Sequence, residues 1–198
     1  MGHVNHYFEA VLRDSIATKN ALLDDAATMA QVGTVAEAML ACYQRGNKVI
    51  FAGNGGSAAD AQHLAAEFVS RFDFDRPGLP SLSLSTDTSM ITAIGNDYGY
   101  EKLFARQLAA QARPGDIFVG ITTSGRSKNV LAAFEIAASL GVQTVGLCGA
   151  AGIAGVPVDF EVKAPSLKTA RIQECHIVIG HYWCGFVERQ YFRPDGEQ

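Results

Sequence analysis

The order of apolar runs and turn residues predicts an α/β domain, a parallel sheet of about five strands with helices on both faces and a helical pair ahead of it. Three observations carry that expectation. Residues 49–52 and 117–121 are short, almost wholly apolar runs, the pattern of strands buried on both sides, and 142–147 reads as a further central strand. The first two are each followed by a stretch with helical periodicity. Repeated strand–helix units close into a parallel sheet through right-handed crossovers.

Taken in order, Phe8, Val11, Leu12 and Ile16 recur at helical spacing, as do Met29, Val32, Val35, Met39 and Tyr43. Asp24-Asp25 breaks or caps between these two helices, and Gly46-Asn47 ends the second. Two amphipathic helices ahead of an α/β unit have little of their own to pack on, so part of their apolar face is expected to meet another subunit. Residues 1–46 are thus assigned to oligomerisation and 47–198 to the α/β unit, the whole read as a single domain. Residues 57–72 are predicted helical and 81–85 a second, more polar strand. A short helix over 88–95 should close at Gly95-Asn96-Asp97, with another over 100–110. Residues 129–140 read as helix and 149–157 as loop. Residues 159–162 read as a short strand near an edge. A long helix covers 169–192, and Arg193-Pro194-Asp195-Gly196 ends the fold.

Composition removes several function classes. The net charge of -4, with no basic stripe, argues against a nucleic-acid surface. No apolar run is long enough to cross a bilayer, and no basic region followed by an apolar stretch opens the chain, so a cytoplasmic protein is expected. Cys42, Cys148, Cys175 and Cys184 form no CxxC pair and read as reduced packing thiols.

The chemistry gathers in two loops and two helices. Gly53-Asn54-Gly55-Gly56-Ser57 follows the first strand and opens a helix, an arrangement whose backbone N–H groups and positive helix end receive an anion. Ser57 is the expected helix cap, with Asp60 in the first turn. Thr122-Thr123-Ser124-Gly125-Arg126-Ser127 offers hydroxyls at a second helix start. Both loops follow strands, so both belong at the carboxyl edge where such sheets bind ligands. Neither Gly-Lys-[Ser/Thr] nor GxGxxG is present at these loops, against a P-loop or dinucleotide site. His63 and Glu67 stand four apart on one helix face, and Gln173 and His181 lie within a quarter turn on the last helix. If those helices meet, His63, Glu67, Gln173 and His181 converge as N/O ligands suited to zinc or another divalent ion. His176 points elsewhere and reads as structural.

These residues together resemble the sugar-isomerase (SIS) domain family, and within it the phosphoheptose isomerases. The matching motifs are Gly53-Asn54-Gly55-Gly56-Ser57, Gln62-His63-(x)3-Glu67, Ser70-Arg71-Phe72, Asp75-Arg76-Pro77, Gly95-Asn96-Asp97, Thr123-Ser124-Gly125-(x)-Ser127 and Arg171-Ile172-Gln173-Glu174-(x)-His176, and they cover nearly the whole chain. The resemblance implies a flavodoxin-like fold, a homotetramer with shared active sites, and zinc held by His63, Glu67, Gln173 and His181. It implies a sugar phosphate substrate, sedoheptulose 7-phosphate. The implied contacts are Asn54, Gly55, Gly56, Ser57, Glu67, Arg71, Asn96, Asp97, Thr122, Thr123, Ser124, Ser127 and Gln173. Aldose–ketose isomerisation needs a base on carbon, an acid on oxygen and a clamp on the remote phosphate; Glu67 is the candidate base and His181 the candidate acid. Thr122 stands where relatives often have serine. The alternatives are an isomerase of another phosphosugar and a non-enzymatic SIS adaptor binding the bacterial replication initiator, which is expected to lack the equivalents of Glu67 and His181.

Overall fold

The computed structural model describes residues 2–193, with side chains from residue 5 onward. Pro194, Asp195 and Gly196 of the expected chain end lie outside the described residues. Helices α1 (Gly2–Asp24) and α2 (Ala26–Gln44) come first. Asp25 separates them: it is the N-cap of α2, accepting from the Thr28 N–H at 3.1 Å.

The α/β unit then runs β1 (Val49–Gly53), α3 (Gly56–Val69), β2 (Ser81–Ser83), α4 (Thr88–Tyr98), α5 (Leu103–Gln111), β3 (Ile117–Thr122), α6 (Lys128–Ser139), β4 (Gln143–Gly149), β5 (Phe160–Ala164) and α7 (Thr169–Phe192). One turn of 3-10 helix, Tyr100–Lys102, joins α4 to α5. All pairings are parallel and the strand order is β2-β1-β3-β4-β5. That is the flavodoxin-like order, whose switch point lies between β1 and β3.

Alternate residues of each strand feed opposite layers. Val49 and Phe51 join α2, α3 and α7 in one core, with Trp183, Phe68 and Met39. Ile50, Ala52 and Phe118 join α4, α5 and α6 in the other, with Phe134 and Leu108. Every residue of β1 and β3 is buried, as an apolar run in a two-sided sheet requires. Burying one such side chain contributes roughly 1.5–3 kcal/mol, so the two layers hold the central strands.

Three expectations are corrected. Helix α3 stops at Val69, not 72, because buried charges described below draw the next residues off its axis. Helix α4 continues through Gly95, Asn96 and Asp97 to Tyr98, and Gly99, at φ 84°, turns the chain instead. Strand β2 is only three residues long. Beyond it the Ser83 hydroxyl accepts from the Ser85 N–H at 3.2 Å and Thr86 Oγ1 donates to the Ser83 carbonyl at 2.9 Å. Such local hydroxyl bonds compete with a ladder.

Candidate active site

Gly53 pairs with Ile121 in register, so β1 and β3 end side by side and bring their following loops together. Asn54 Nδ2 donates to Asn129 Oδ1 and Asn129 Nδ2 donates back to Asn54 Oδ1, both at 2.9 Å. The Tyr100 hydroxyl donates to the same Asn54 oxygen at 2.8 Å. The Asn54 carbonyl oxygen is therefore fully engaged, and its amide keeps one N–H for a ligand. Helix α3 begins at Gly56 behind Gly55, which makes no side-chain cap. Ser57 is not the cap expected from sequence; it is 3% exposed inside the first turn. The uncapped helix end and its positive dipole lie at the switch-point edge, as anion binding needs.

In the second loop, Thr122 Oγ1 and Ser127 Oγ are 3.0 Å apart, and Ser124 Oγ accepts from the Arg126 N–H at 3.2 Å. Thr122 is buried, Thr123 and Ser127 are half-buried, and Ser124 is exposed. Ser127 is the N-cap of α6 but makes no side-chain cap bond, leaving its hydroxyl to Thr122 and a ligand.

The other half of the site comes from the contact of α3 with α7. A side chain at Gly180 would meet Leu64 Cδ2 at 2.5 Å, so its absence lets the two helices close at that point. The residues beside this contact, His63 and His181, bring their Nε2 atoms to 2.8 Å. Glu67 Oε1 lies 3.5 Å from His63 Nε2. Base and acid candidates, 114 positions apart in the chain by their own numbers, thus meet around one imidazole. Two turns earlier on α7, the Gln173 amide lies against Gly56, where any Cβ would overlap it. One helix therefore spans from the glycine turn to the imidazole pair. A cavity of about 390 Å³, lined by Phe72, His181, Tyr182 and Phe186 among others, opens beside His181.

The donor chemistry of His63, Glu67 and His181 fits a zinc-type ion, being two imidazoles and a carboxylate. The two nitrogens here hydrogen-bond to each other, and among the described residues no group of three or more His, Cys, Asp or Glu side chains stands ready as a metal cage.

Arg71, Asn96 and Asp97 are not joined to these groups by any hydrogen bond among the described residues. Arg71 is exposed after α3, and Asn96 Nδ2 donates to Asp97 Oδ1 at 2.8 Å on the exposed last turn of α4. His176 is structural, as expected: it is fully buried, its Nε2 is 3.1 Å from the Cys148 carbonyl, and burial lowers it to about 4. All four cysteines are buried free thiols, Cys148 pushed up to about 12 by burial.

Sequence reasoning missed Asn129, Tyr100 and the pair Arg76–Glu188. Arg76 Nε meets Glu188 Oε1 at 2.8 Å with both side chains almost wholly enclosed. A signal for the pair was present: Glu188 is a carboxylate set beside Trp183, Cys184 and Val187, and a buried charge requires a partner.

The family described as SIS domain matches residues 8–149. Over 191 residues the chain is 54% identical to phosphoheptose isomerase of Aneurinibacillus thermoaerophilus, covering 96% of each. Over 193 residues it is 51% identical to phosphoheptose isomerase 2 of Campylobacter jejuni, covering 97% of this chain and 96% of that one. The solved phosphoheptose isomerase of Neisseria gonorrhoeae superposes with a TM-score of 0.86 at 39% identity, over 93% of this chain and 98% of that one. The chain belongs to the SIS-domain family, among the phosphoheptose isomerases.

Proposed function

We propose, from that membership, that the chain interconverts sedoheptulose 7-phosphate and D-glycero-D-manno-heptose 7-phosphate through an enediol. The observation that carries the mechanism is the meeting of Glu67 and His181 at His63, on a helix pair whose other end abuts the glycine turn. The Glu67 carboxylate takes the proton from C1 of the ketose. The electrons of that bond form the C1–C2 double bond, and the carbonyl oxygen on C2 takes a proton from His181. Return of a proton to C2 from Glu67, with loss of the O1 proton to the imidazole, gives the aldose.

The phosphate at the far end is held by the N–H groups of 54–56 and the hydroxyls of Thr122, Thr123, Ser124 and Ser127, with Ser57 and Gln173 closing the loop between them. Arg71, Asn96 and Asp97 complete the substrate contacts from exposed positions. His63, Glu67, Gln173 and His181 would hold a zinc ion, which when bound supplies Lewis-acid polarisation of a substrate oxygen. A homotetramer covers the apolar face of α1, where Tyr7, Phe8, Leu12 and Ile16 are about half to three-quarters exposed. The reaction belongs to activated-heptose synthesis in the cytoplasm. No described helix is long and apolar enough to cross a membrane.

The test is turnover of the purified protein on C5, C6 and C7 ketose phosphates, with metal content measured on the same sample. Turnover of the C7 substrate at least tenfold above the others is expected, with one zinc per subunit. Preference for a shorter sugar would move the assignment to another phosphosugar, and no turnover of any would leave a binding protein.

A further inference from the structure

We infer that the buried pair Arg76–Glu188 is a positioning device for the acid and base of this site; the inference rests on the isomerase reading above. Arg76 lies in the segment after α3 and reaches back under that helix. Its Nη2 donates to the carbonyl of Glu67 itself at 2.9 Å, and its Nη1 to the carbonyls of Phe68 at 2.6 Å and Ser70 at 3.2 Å. The last carbonyls of a helix have no partner within it, so this guanidinium serves those of Glu67 and Phe68 together with that of the C-cap Ser70 and sets the last turn. The candidate base stands on that turn.

Glu188, on α7, does the same for the other side. Its Oε1 accepts from the Phe72 N–H at 2.8 Å and its Oε2 from the Asp73 N–H at 2.6 Å, besides the ion pair. Burial alone would raise this carboxyl; the hydrogen bonds from Phe72, Asp73 and Arg76 outweigh it and hold it below its ordinary value. The residue so pinned, Phe72, sets its ring 5.5 Å from the His181 ring. One ion pair beneath the site therefore fixes the backbone that carries Glu67 and the aromatic wall behind His181. Neither charge needs to touch substrate, and the phosphate loops do not depend on it.

This arrangement predicts an effect on the chemical step without one on phosphate binding. A displacement of about 1 Å at a reacting group can cost about a hundredfold in rate. Arg76→Lys keeps the charge opposite Glu188 but loses the fork that spans three carbonyls. The full-length variant is expected to lower kcat ten- to hundredfold on the substrate the wild type turns over, with KM within threefold. Inhibition by inorganic phosphate should be unchanged, and circular dichroism should match the wild type at the assay temperature. Phe72→Leu, which leaves the ion pair intact, is expected to lower kcat by a smaller factor with the same KM. Wild-type kcat in folded Arg76→Lys, or an equal loss in kcat and phosphate affinity, overturns the inference. If Arg76→Lys does not fold, folded Phe72→Leu decides it, and wild-type kcat there overturns it. A wild type that isomerises no sugar phosphate would instead defeat the isomerase reading, before any variant is compared.

Discussion

At the amino edge of the sheet, just ahead of β1 and β3, the Asp116 side chain is 1% exposed. It accepts from Lys48 Nζ at 2.5 Å, the Lys48 N–H at 3.1 Å, the Arg113 N–H at 2.8 Å and Asn47 Nδ2 at 3.1 Å. At the carboxyl edge of the same two strands, α3 and α6 start without side-chain caps, Ser124 is exposed, and Asn54 keeps an amide proton in hand. One edge satisfies its polar groups internally and the other leaves donors facing outward. Both edges begin as strand ends with the same need for partners. What separates them is a charge: Asp116 closes its edge, while the opposite edge is made of glycine, hydroxyl and amide, which leave room for an anion to complete the set.

The comparison breaks most visibly at the carboxyl edge. Glu67→Gln and His181→Ala should each reduce turnover by about 10³-fold or more, with thermal unfolding close to that of the wild type; steady-state kinetics alongside calorimetry would check both. At the amino edge the opposite is expected. Asp116→Ala leaves the Lys48 ammonium and several N–H groups without their acceptor, and should cost about 3–5 kcal/mol, measured by urea unfolding, while the kcat of the folded fraction stays unchanged.

Between the edges, α7 packed on the sheet adds to the loss of stability in acid. His176 is held near 4 by burial, against an ordinary value of 6.5. The unfolded chain therefore binds a proton that the folded chain refuses between pH 6.5 and 4, so stability falls as pH drops through that window. The loss is worth about 3 kcal/mol. His176→Gln should flatten the unfolding free energy over that range, compared by denaturant titration at pH 7 and pH 5. The smallest effect belongs to a single exposed hydroxyl. Ser124→Ala should raise KM by roughly five- to tenfold, the worth of one hydrogen bond, with no change in melting temperature.

Much of this was legible before folding was considered. The apolar runs of β1 and β3, short and bounded by turn residues, read as strands buried on both faces, and their order with the intervening helices pointed to a parallel sheet. Local chemistry also placed both loops proposed to bind the phosphate on one edge and put His63 and Glu67 on one face. Errors arose at helix ends. Gly95 did not end its helix, and Gly99, at φ 84°, takes the turn instead. Residues 70–72 left α3 because Glu188, more than a hundred positions away, takes the Phe72 and Asp73 N–H groups.

The sequence by itself determined the layered architecture, the sheet edge that carries both polar loops and the residue types offered for the proposed chemistry, since those follow from periodicity and from which groups can accept or donate. Only the tertiary structure decided that His63 and His181 touch, that Gly180 opens the way for them, and that a buried guanidinium caps the helix bearing Glu67. Those depend on where two helices cross, and a crossing is set by the packing of side chains that are remote in the chain and adjacent only once it has folded.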